Sequence, residues 1–368
     1  TEDNHISNDL NLSADHLTDG YTITGWAYQR RPFGIVWCVR SDGTLLGLTY
    51  NRRQVVAGWH RHDTKNGVFE AVAVVKESGV EVLYTLVTRN GIGRMIERFG
   101  DLQDTSLDTG IFTDSSLSYN AYDKSILTLR NNTYDHTNTR ITIPVGTYDE
   151  EGTVLVTADG PLFYADDLGA ELRVLGGRRL TIEEIISTTQ ARVRPDSQFT
   201  APLYGDFAKN WQLARKKFFI EHLQTETVSA LVDGSAELGL AVGAFGEVNT
   251  ANAGLRVTIG LPIEADIETL ELASAQGETL VTKRKRISGV SAQVVSARGL
   301  MAGRTFSTLE AIKELMPTSY NQPPELRTGI VSVTIPTSVS TNGSIAIRQK
   351  YPLPATITSL IPDVEVMG

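Results

Sequence analysis

Short apolar runs, each broken by glycine, aspartate or asparagine, recur along this chain. Ile35–Arg40 and Leu45–Tyr50 flank Asp42-Gly43, a turn typical of a β-hairpin because glycine reaches positive φ without steric cost. Phe69–Lys76 and Val80–Arg89 form a second such pair. Strands repeated at these short intervals predict an all-β fold built from sandwiches, barrels or propellers.

Residues 22–99 contain two similar units of three or four predicted strands, each about as long as a propeller blade. Gln54–His60 completes the first unit, and Gly91–Arg98 completes the second. A closed propeller takes at least four blades, and two blades alone leave open sheet edges that associate readily. We therefore expect the missing blades to lie upstream of residue 1, or another subunit to cover the edges.

The whole chain divides into four predicted regions with few, short helices. Residues 1–100 are the propeller-like blades, and residues 101–150 are a polar linker or insertion with short strands. Residues 151–217 are a small β module of sandwich or barrel type with a short helix, and residues 218–368 are a β-rich C-terminal domain.

Three finer predictions concern the second half of the chain. Tyr204–Lys217 is the predicted helix, because three of its apolar residues share one face at helical spacing. Leu309–Leu315 is a second candidate for a short helix. Ile330–Ile335 and Ser344–Gln349 are expected to pair as a hairpin across Asn342-Gly343.

Composition narrows the classes of function. Apolar residues make up 41% of the chain and charged residues 21%, which is ordinary globular usage. The net charge of −9 argues against a general nucleic-acid binder, because neutralising phosphates requires clustered lysine and arginine. Cys38 is the single cysteine, so no disulfide can form within one chain, and we expect a buried apolar role for it.

The sequence also bears on location. No apolar run reaches the roughly 18–20 residues that a membrane-spanning helix needs, and the polar, acidic start Thr1–Asn4 does not resemble a signal peptide. We expect the chain to fold in a cytoplasm. Because the first residue is not Met, we also expect a processed chain or a fragment of a longer protein.

An ordered set of motifs runs through most of the chain. It comprises Gly25–Gln29, Ile35–Arg40, Asp42-Gly43, Gly47–Tyr50, Ala57–His62, Ala165–Gly169, Gly176-Gly177, Phe219–Gly234, Val257–Pro262, Lys285–Ile287 and Tyr351–Pro362. Together these motifs resemble the tail nozzle, or tail-tubular, proteins of short-tailed bacteriophages (podoviruses). Residues 100–150 do not align with that pattern, and the N-terminal part of the family is missing.

The resemblance implies a structural virion protein and not an enzyme. Copies would form a ring, typically a hexamer, and viral DNA would pass down its channel without specific binding. The implied partners are further copies of the chain, adaptor or portal-side tail proteins, and tail fibre or spike proteins. The implied location is the virion tail, after folding in the host bacterial cytoplasm. An acidic channel lining would repel phosphates and let DNA slide.

One basic run is a candidate contact site: Lys283, Arg284, Lys285 and Arg286. It could be a solvated loop, which the sequence favours, or a contact to DNA phosphates. The resemblance adds a third role, an inter-subunit rim that pairs with acidic neighbours. Arg215–Lys217 carries the same ambiguity.

His60 and His62 share one strand face, because residues two apart in a strand point the same way. A zinc site needs four nitrogen or sulfur ligands at defined spacing, and the remaining histidines lie far away in the sequence. We therefore favour a polar strand end that enters a loop, and we expect no metal.

The four tryptophans are expected in hydrophobic cores. Trp26, Trp37 and Trp59 recur within strand patterns, and Trp211 lies at helical spacing. Exposed tryptophans would instead favour a receptor- or carbohydrate-binding module, which is one alternative function.

No catalytic motif supports an enzyme. The chain contains neither a dinucleotide fingerprint nor a nucleophile elbow, and we expect no cofactor. Carboxylate pairs such as Asp166-Asp167 leave open the other alternative, a tail-associated polysaccharide or peptidoglycan hydrolase. That activity would need two carboxylates held at a defined separation.

Overall fold

The computed structural model of the chain describes residues 9–11, 14–51, 56–124, 135–144, 152–174, 177–197, 209–275, 278–313, 325–336 and 339–367. Within these ranges the fold is all-β, as predicted, with three short 3₁₀ helices at Asp15–Leu17, Ala165–Asp167 and Glu221–Leu223. Its internal contacts separate two compact units, Thr1–Asp104 and Thr105–Gly368. The predicted positions Gln54, Gly176, Tyr204–Ala208 and Leu315 lie outside the described residues.

The first unit contains two antiparallel sheets. Its strands are β1 (Ile23–Gln29), β2 (Ile35–Arg40), β3 (Leu45–Asn51), β4 (Val56–His62), β5 (Gly67–Glu77), β6 (Val80–Arg89) and β7 (Gly93–Arg98). Strands β1 to β4 form one sheet in chain order, and β5 to β7 form the other. Both predicted hairpins of this region are confirmed, since β2 pairs with β3 and β5 with β6. A propeller stays a prediction.

The core of the first unit lies between its two sheets, where β5 packs against β1 and β2. Alternate residues of the apolar strands point inward, as the two-residue period of a strand requires. The buried cluster consists of Ile35, Trp37, Val39, Leu45, Phe69, Leu83 and Val87.

The second unit contains the remaining strands. They are β8 (Asp114–Asn120), β9 (Ile141–Thr142), β10 (Val154–Ala158), β11 (Glu171–Val174), β12 (Arg178–Ser187), β13 (Gln190–Pro195), β14 (Trp211–Phe219), β15 (Thr227–Val232), β16 (Ser235–Ala241), β17 (Glu247–Gly254), β18 (Arg256–Leu261), β19 (Ala265–Glu268), β20 (Ser274–Ala275), β21 (Glu278–Thr279), β22 (Arg284–Ala297), β23 (Leu300–Gly303), β24 (Leu309–Ala311), β25 (Arg327–Thr334), β26 (Val339–Ser340), β27 (Ala346–Gln349) and β28 (Thr356–Met367).

These strands assemble into several sheets. The largest has seven strands in the order β17-β14-β11-β12-β13-β10-β9, and β16-β15-β18-β8 and β19-β27-β23-β24 form two sheets of four. Strand β22 pairs with β25, β26 and β28, and β20 pairs with β21. Strands β22, β25 and β28 share an apolar core with β23 and β27.

The predicted helix at Tyr204–Lys217 is wrong where the structure describes it, because Trp211–Phe219 is strand β14. Trp211 and Leu213 point inward at the two-residue period of a strand, and β14 pairs with β11 and β17. Arg215 takes the next inward position and is fully buried. A charged residue at an interior position hides the alternation that would otherwise identify a strand.

Two further predictions of local structure are also wrong. The start of the predicted helix at Leu309–Leu315 is strand β24, which pairs with β23. The predicted hairpin between Ile330–Ile335 and Ser344–Gln349 does not form, because β25 pairs with β22 whereas β27 pairs with β19 and β23. Pairing between strands distant in sequence overrides the local turn signal.

Candidate functional site

Strand β1 is a margin of the first sheet and presents two aromatic side chains to solvent. Trp26 and Tyr28 lie two residues apart on one face, and they are 69% and 48% exposed. Among the strands the structure describes, β1 hydrogen-bonds only to β2. Exposed aromatic groups beside an open strand edge are typical of a protein interface.

The chain itself covers the rest of this sheet face. The segment that precedes β1 crosses the face: the Trp59 indole N–H donates to the Leu10 carbonyl at 3.0 Å, and Arg40 Nη1 donates to the Leu17 carbonyl at 2.7 Å. Cys38 lies on the same face and is buried, as predicted, and burial raises the pKa of its thiol. The aromatic side chains of β1 are therefore the uncovered margin of a largely covered face.

The tryptophan predictions have a mixed outcome. Trp37 is 1% exposed and its indole N–H donates to Gln29 Oε1 at 2.9 Å, so its core position is confirmed. Trp211 is fully buried, although on a strand rather than a helix. The core prediction is wrong for Trp26, and Trp59 is only half-buried.

Strand β4, the opposite margin of the same sheet, turns two imidazoles inward. His60 Nδ1 and His62 Nε2 are 2.7 Å apart, and both rings lie 5.4 Å from the Trp37 ring. A Cβ at Gly47 would lie 2.0 Å from His60 Cε1, so this imidazole fills the space that the glycine leaves. β4 ends at His62, two residues beyond the predicted end at His60, and its histidines face the interior.

The electrostatics of the histidine pair follow from its burial. Removal from water disfavours the charged imidazolium, which lowers the pKa of His60 and lowers that of His62 to about 4. The proximity of His60 lowers the pKa of His62 further. Both rings are therefore neutral at pH 7, and one donates a hydrogen bond to the other.

Strand alternation splits the predicted basic site. Lys283 lies in the turn before β22, and Lys285 is 1% exposed and donates its ammonium to the carbonyl of Thr341. Arg284 and Arg286 point outward. Arg286 lies 3.7 Å from Glu365. The structure does not place the four cations on one surface, and a contact to phosphates or to another subunit stays a prediction.

The carboxylate pair Asp166-Asp167 is held by two cations. Arg215 Nε lies 3.0 Å from Asp167 Oδ1 with both side chains fully buried, and Lys217 Nζ lies 3.0 Å from Asp166 Oδ1. Two carboxylates with separate cationic partners join β14 to the 3₁₀ helix. That arrangement fits two structural ion pairs better than a catalytic pair of carboxylates that exchanges protons.

A small cavity opens in the first unit beside Trp37 and Phe99. Its volume is about 100 Å³, and Gln29 and Glu81 supply polar lining. The Gln29 amide is already engaged, because its Nε2 donates to the Glu81 carbonyl at 2.6 Å. Pockets for drug-sized ligands measure roughly 300–1,000 Å³, so this space suits a few waters.

Two features of the site were missed from the sequence. The alternation Thr24, Trp26, Tyr28 signals that both aromatic residues share a face, but does not say which face is covered. Gly47 lies directly across the sheet from His60, and a glycine opposite a ring could have indicated inward packing once the strand register was known.

Comparison with known proteins identifies no relative: neither a protein-family model nor a curated protein matches the chain. In the part of the chain that the structure describes, no group of three or more His, Cys, Asp or Glu side chains could hold a metal ion. No helix among the described residues has the length and apolarity required to cross a membrane.

Proposed function

We propose that this chain is a structural subunit that assembles through open sheet margins into a ring. We place it with the nozzle or tail-tubular components of short-tailed bacteriophage tails, where the ring conducts viral DNA. The observation that carries the proposal is the β1 margin, where Trp26 and Tyr28 are exposed beside a strand edge that pairs only with β2 among the described strands.

The direction of the strands supports assembly from head to tail. Neighbouring strands of the first sheet are antiparallel, so β1 and β4 run in opposite directions. A second copy that placed its β4 edge beside β1 would continue the antiparallel sheet. Contacts between two different surfaces close into a ring when the rotation between subunits closes.

Burial of the aromatic side chains supplies a driving force. Phenylalanine, tyrosine and tryptophan side chains bury about 150–250 Å² each, and apolar burial is worth roughly 25 cal/mol per Å². Trp26 keeps most of its surface in the single chain and so has most of that burial still to gain. Edge hydrogen bonds add direction to an otherwise non-directional attraction.

The net charge of the chain supports a channel through which DNA passes, rather than one that binds DNA. The net charge is −9, and of the basic run only Arg284 and Arg286 point fully outward. A ring of such chains would carry a net negative charge, which repels phosphates. DNA would then slide through a channel without a specific site.

Electron microscopy of the purified chain tests the proposal. We expect ring-shaped particles with a central hole, and we expect Trp26→Ser to reduce their number strongly. Ile96→Ser is a matched control, since Ile96 is an exposed apolar residue on the margin strand β7 of the other sheet. The proposal would be contradicted if the purified chain gave only monomeric particles at micromolar concentration, both alone and with an added adaptor protein.

A carbohydrate- or receptor-binding module is the second candidate, and the exposure of Trp26 beside Tyr28 favours it. Two aromatic faces on one strand can stack on sugar rings. Saturable binding of purified host polysaccharide, abolished by Trp26→Ala without any change in molar mass, would favour this function. Turnover of that polysaccharide would instead establish a hydrolase.

A further inference from the structure

We infer that His60 and His62 form a two-ligand site for a divalent transition-metal ion that prefers imidazole, such as Zn²⁺ or Cu²⁺. The inference is independent of the proposed function. It rests on the position of two ring nitrogens within one hydrogen-bond length on a single strand. Imidazole nitrogen is a common ligand of both ions, and copper binds such ligands the more tightly.

The distance between the two nitrogens suits chelation. Zinc–imidazole bonds are about 2.0–2.1 Å long, so two nitrogens bound to one ion at angles between a right angle and the tetrahedral angle lie about 2.9–3.3 Å apart. His60 Nδ1 and His62 Nε2 are 2.7 Å apart. Chelation requires the nitrogens to separate by a few tenths of an ångström and the rings to rotate, so that both lone pairs converge on an ion beside the line that joins the two nitrogens.

Protons do not oppose binding at neutral pH. Thr49 Oγ1 lies 3.4 Å from His60 Nε2. A proton on His60 Nε2, where the hydroxyl can accept it in a hydrogen bond, leaves the lone pair of His60 Nδ1 free. His62 then donates from Nε2 to His60 Nδ1. On binding, that proton moves to Nδ1 of His62, both nitrogens donate to the ion, and no net proton is released.

The surroundings position the two rings and leave both histidines partly exposed to solvent. Gly47 offers no side chain where the His60 ring lies, and Trp37 packs against both rings. Both histidines are only half-buried on a margin strand, so water can complete the coordination. With two protein ligands, we expect weaker binding than in a closed structural zinc site, which supplies four.

Titration calorimetry of the EDTA-treated and desalted full chain with ZnCl₂ at pH 7.5 tests the inference. We expect about one ion per chain at the tightest site, and a loss of affinity of tenfold or more in both His60→Asn and His62→Asn. Thr49→Val removes the hydroxyl beside His60, and we expect it to weaken binding severalfold, since partners of ligating histidines orient them. His16→Asn, on the short helix before β1, is the matched control and leaves this binding unchanged.

A second measurement keeps the test decisive if a histidine variant misfolds. Electron paramagnetic resonance of the wild-type chain with one equivalent of Cu²⁺ should show coupling to two imidazole nitrogens. The inference is overturned if the wild type binds no zinc, or if folded His60→Asn and His62→Asn bind it as well as the wild type does. A copper spectrum with one nitrogen or none has the same consequence.

Discussion

The two margins of the first sheet differ in the kind of side chain that they expose to solvent. Strand β1 carries Trp26 and Tyr28 at the exposed margin of a face that the segment before β1 otherwise covers, whereas β4 carries His60 and His62 on the face that packs inward. The apolar side chains are thus in water and the polar ones against a tryptophan. The proposed association through β1 rests on this inversion of the usual order.

The two margins also differ in whether their side chains find partners within the chain. The polar groups of β4 pair with each other, and the indole of Trp59 on the same strand donates to a carbonyl of the segment before β1. The β4 side chains therefore find partners within the chain. Trp26 and Tyr28 have no equivalent cover among the described residues, and for that reason the proposed association is placed at β1.

The largest expected effect separates two tryptophans on neighbouring strands. Trp37→Ala should destabilise the first unit by about 3–5 kcal/mol, because a fully buried indole leaves a cavity and Gln29 loses its donor. Trp26→Ala should change the stability of the dissociated chain by less than about 0.5 kcal/mol. Urea unfolding of both variants measures this contrast, and equal losses would remove the distinction between the strands.

The second-largest expected effect is a loss of folding stability in acid, which arises from a histidine of β4. The folded-state pKa of His62 is about 4, below the ordinary 6.5, so the folded chain binds fewer protons than the unfolded chain. Stability from this group is complete above pH 6.5 and is lost as the pH falls toward about 4, by up to roughly 3 kcal/mol. Unfolding in metal-free buffer between these pH values measures the slope.

The double variant His60→Asn, His62→Asn is the control for this pH dependence. It should unfold with a much smaller slope between pH 6.5 and 4, since the paired carboxylates contribute mainly at lower pH. An unchanged slope would mean that the two imidazoles are solvated in the folded chain.

A smaller effect concerns the space under the His60 ring. Gly47→Ala should cost about 1–3 kcal/mol, because the new Cβ would collide with the imidazole and force it out of its position. Gly58→Ala is a matched control on β4 itself, where a Cβ meets nothing within 4 Å. Thermal unfolding of the two variants gives the comparison, and similar midpoints would indicate that the ring does not lie over Gly47.

The smallest predicted effect concerns the covered part of the outer face. Trp59→Phe keeps the aromatic bulk but removes the N–H that donates to Leu10, so we expect a loss of about 1 kcal/mol. Hydrogen exchange should also rise in the segment before β1. No change in either quantity would show that this hydrogen bond does not hold the cover in place.

The sequence predicted the fold best where pairing is local. Asp42-Gly43 between two apolar runs was sufficient to identify a hairpin, and the structure pairs β2 with β3 there. It failed where partners are distant: Trp211–Phe219 became a strand because β11 and β17 flank it, and its buried Arg215 broke the apolar pattern. Local propensity cannot anticipate a partner many residues away.

The candidate site was predictable only in part. The two-residue spacing placed His60 and His62 on one face, but not which face is inward, since that depends on the register with Gly47. The same limit applied to Trp26, whose side chain lies on the exposed side. Its strand was evident, whereas its exposure depends on where the segment before β1 ends its cover.

Light scattering on the purified chain over a range of concentrations, for the wild type and for Trp26→Glu, tests the central claim most directly. We predict a wild-type molar mass that is a fixed multiple of the single chain, and a fall to the single-chain mass in the variant. A wild-type chain that stays monomeric up to tens of micromolar, or a variant that assembles as the wild type does, would contradict association through the β1 margin.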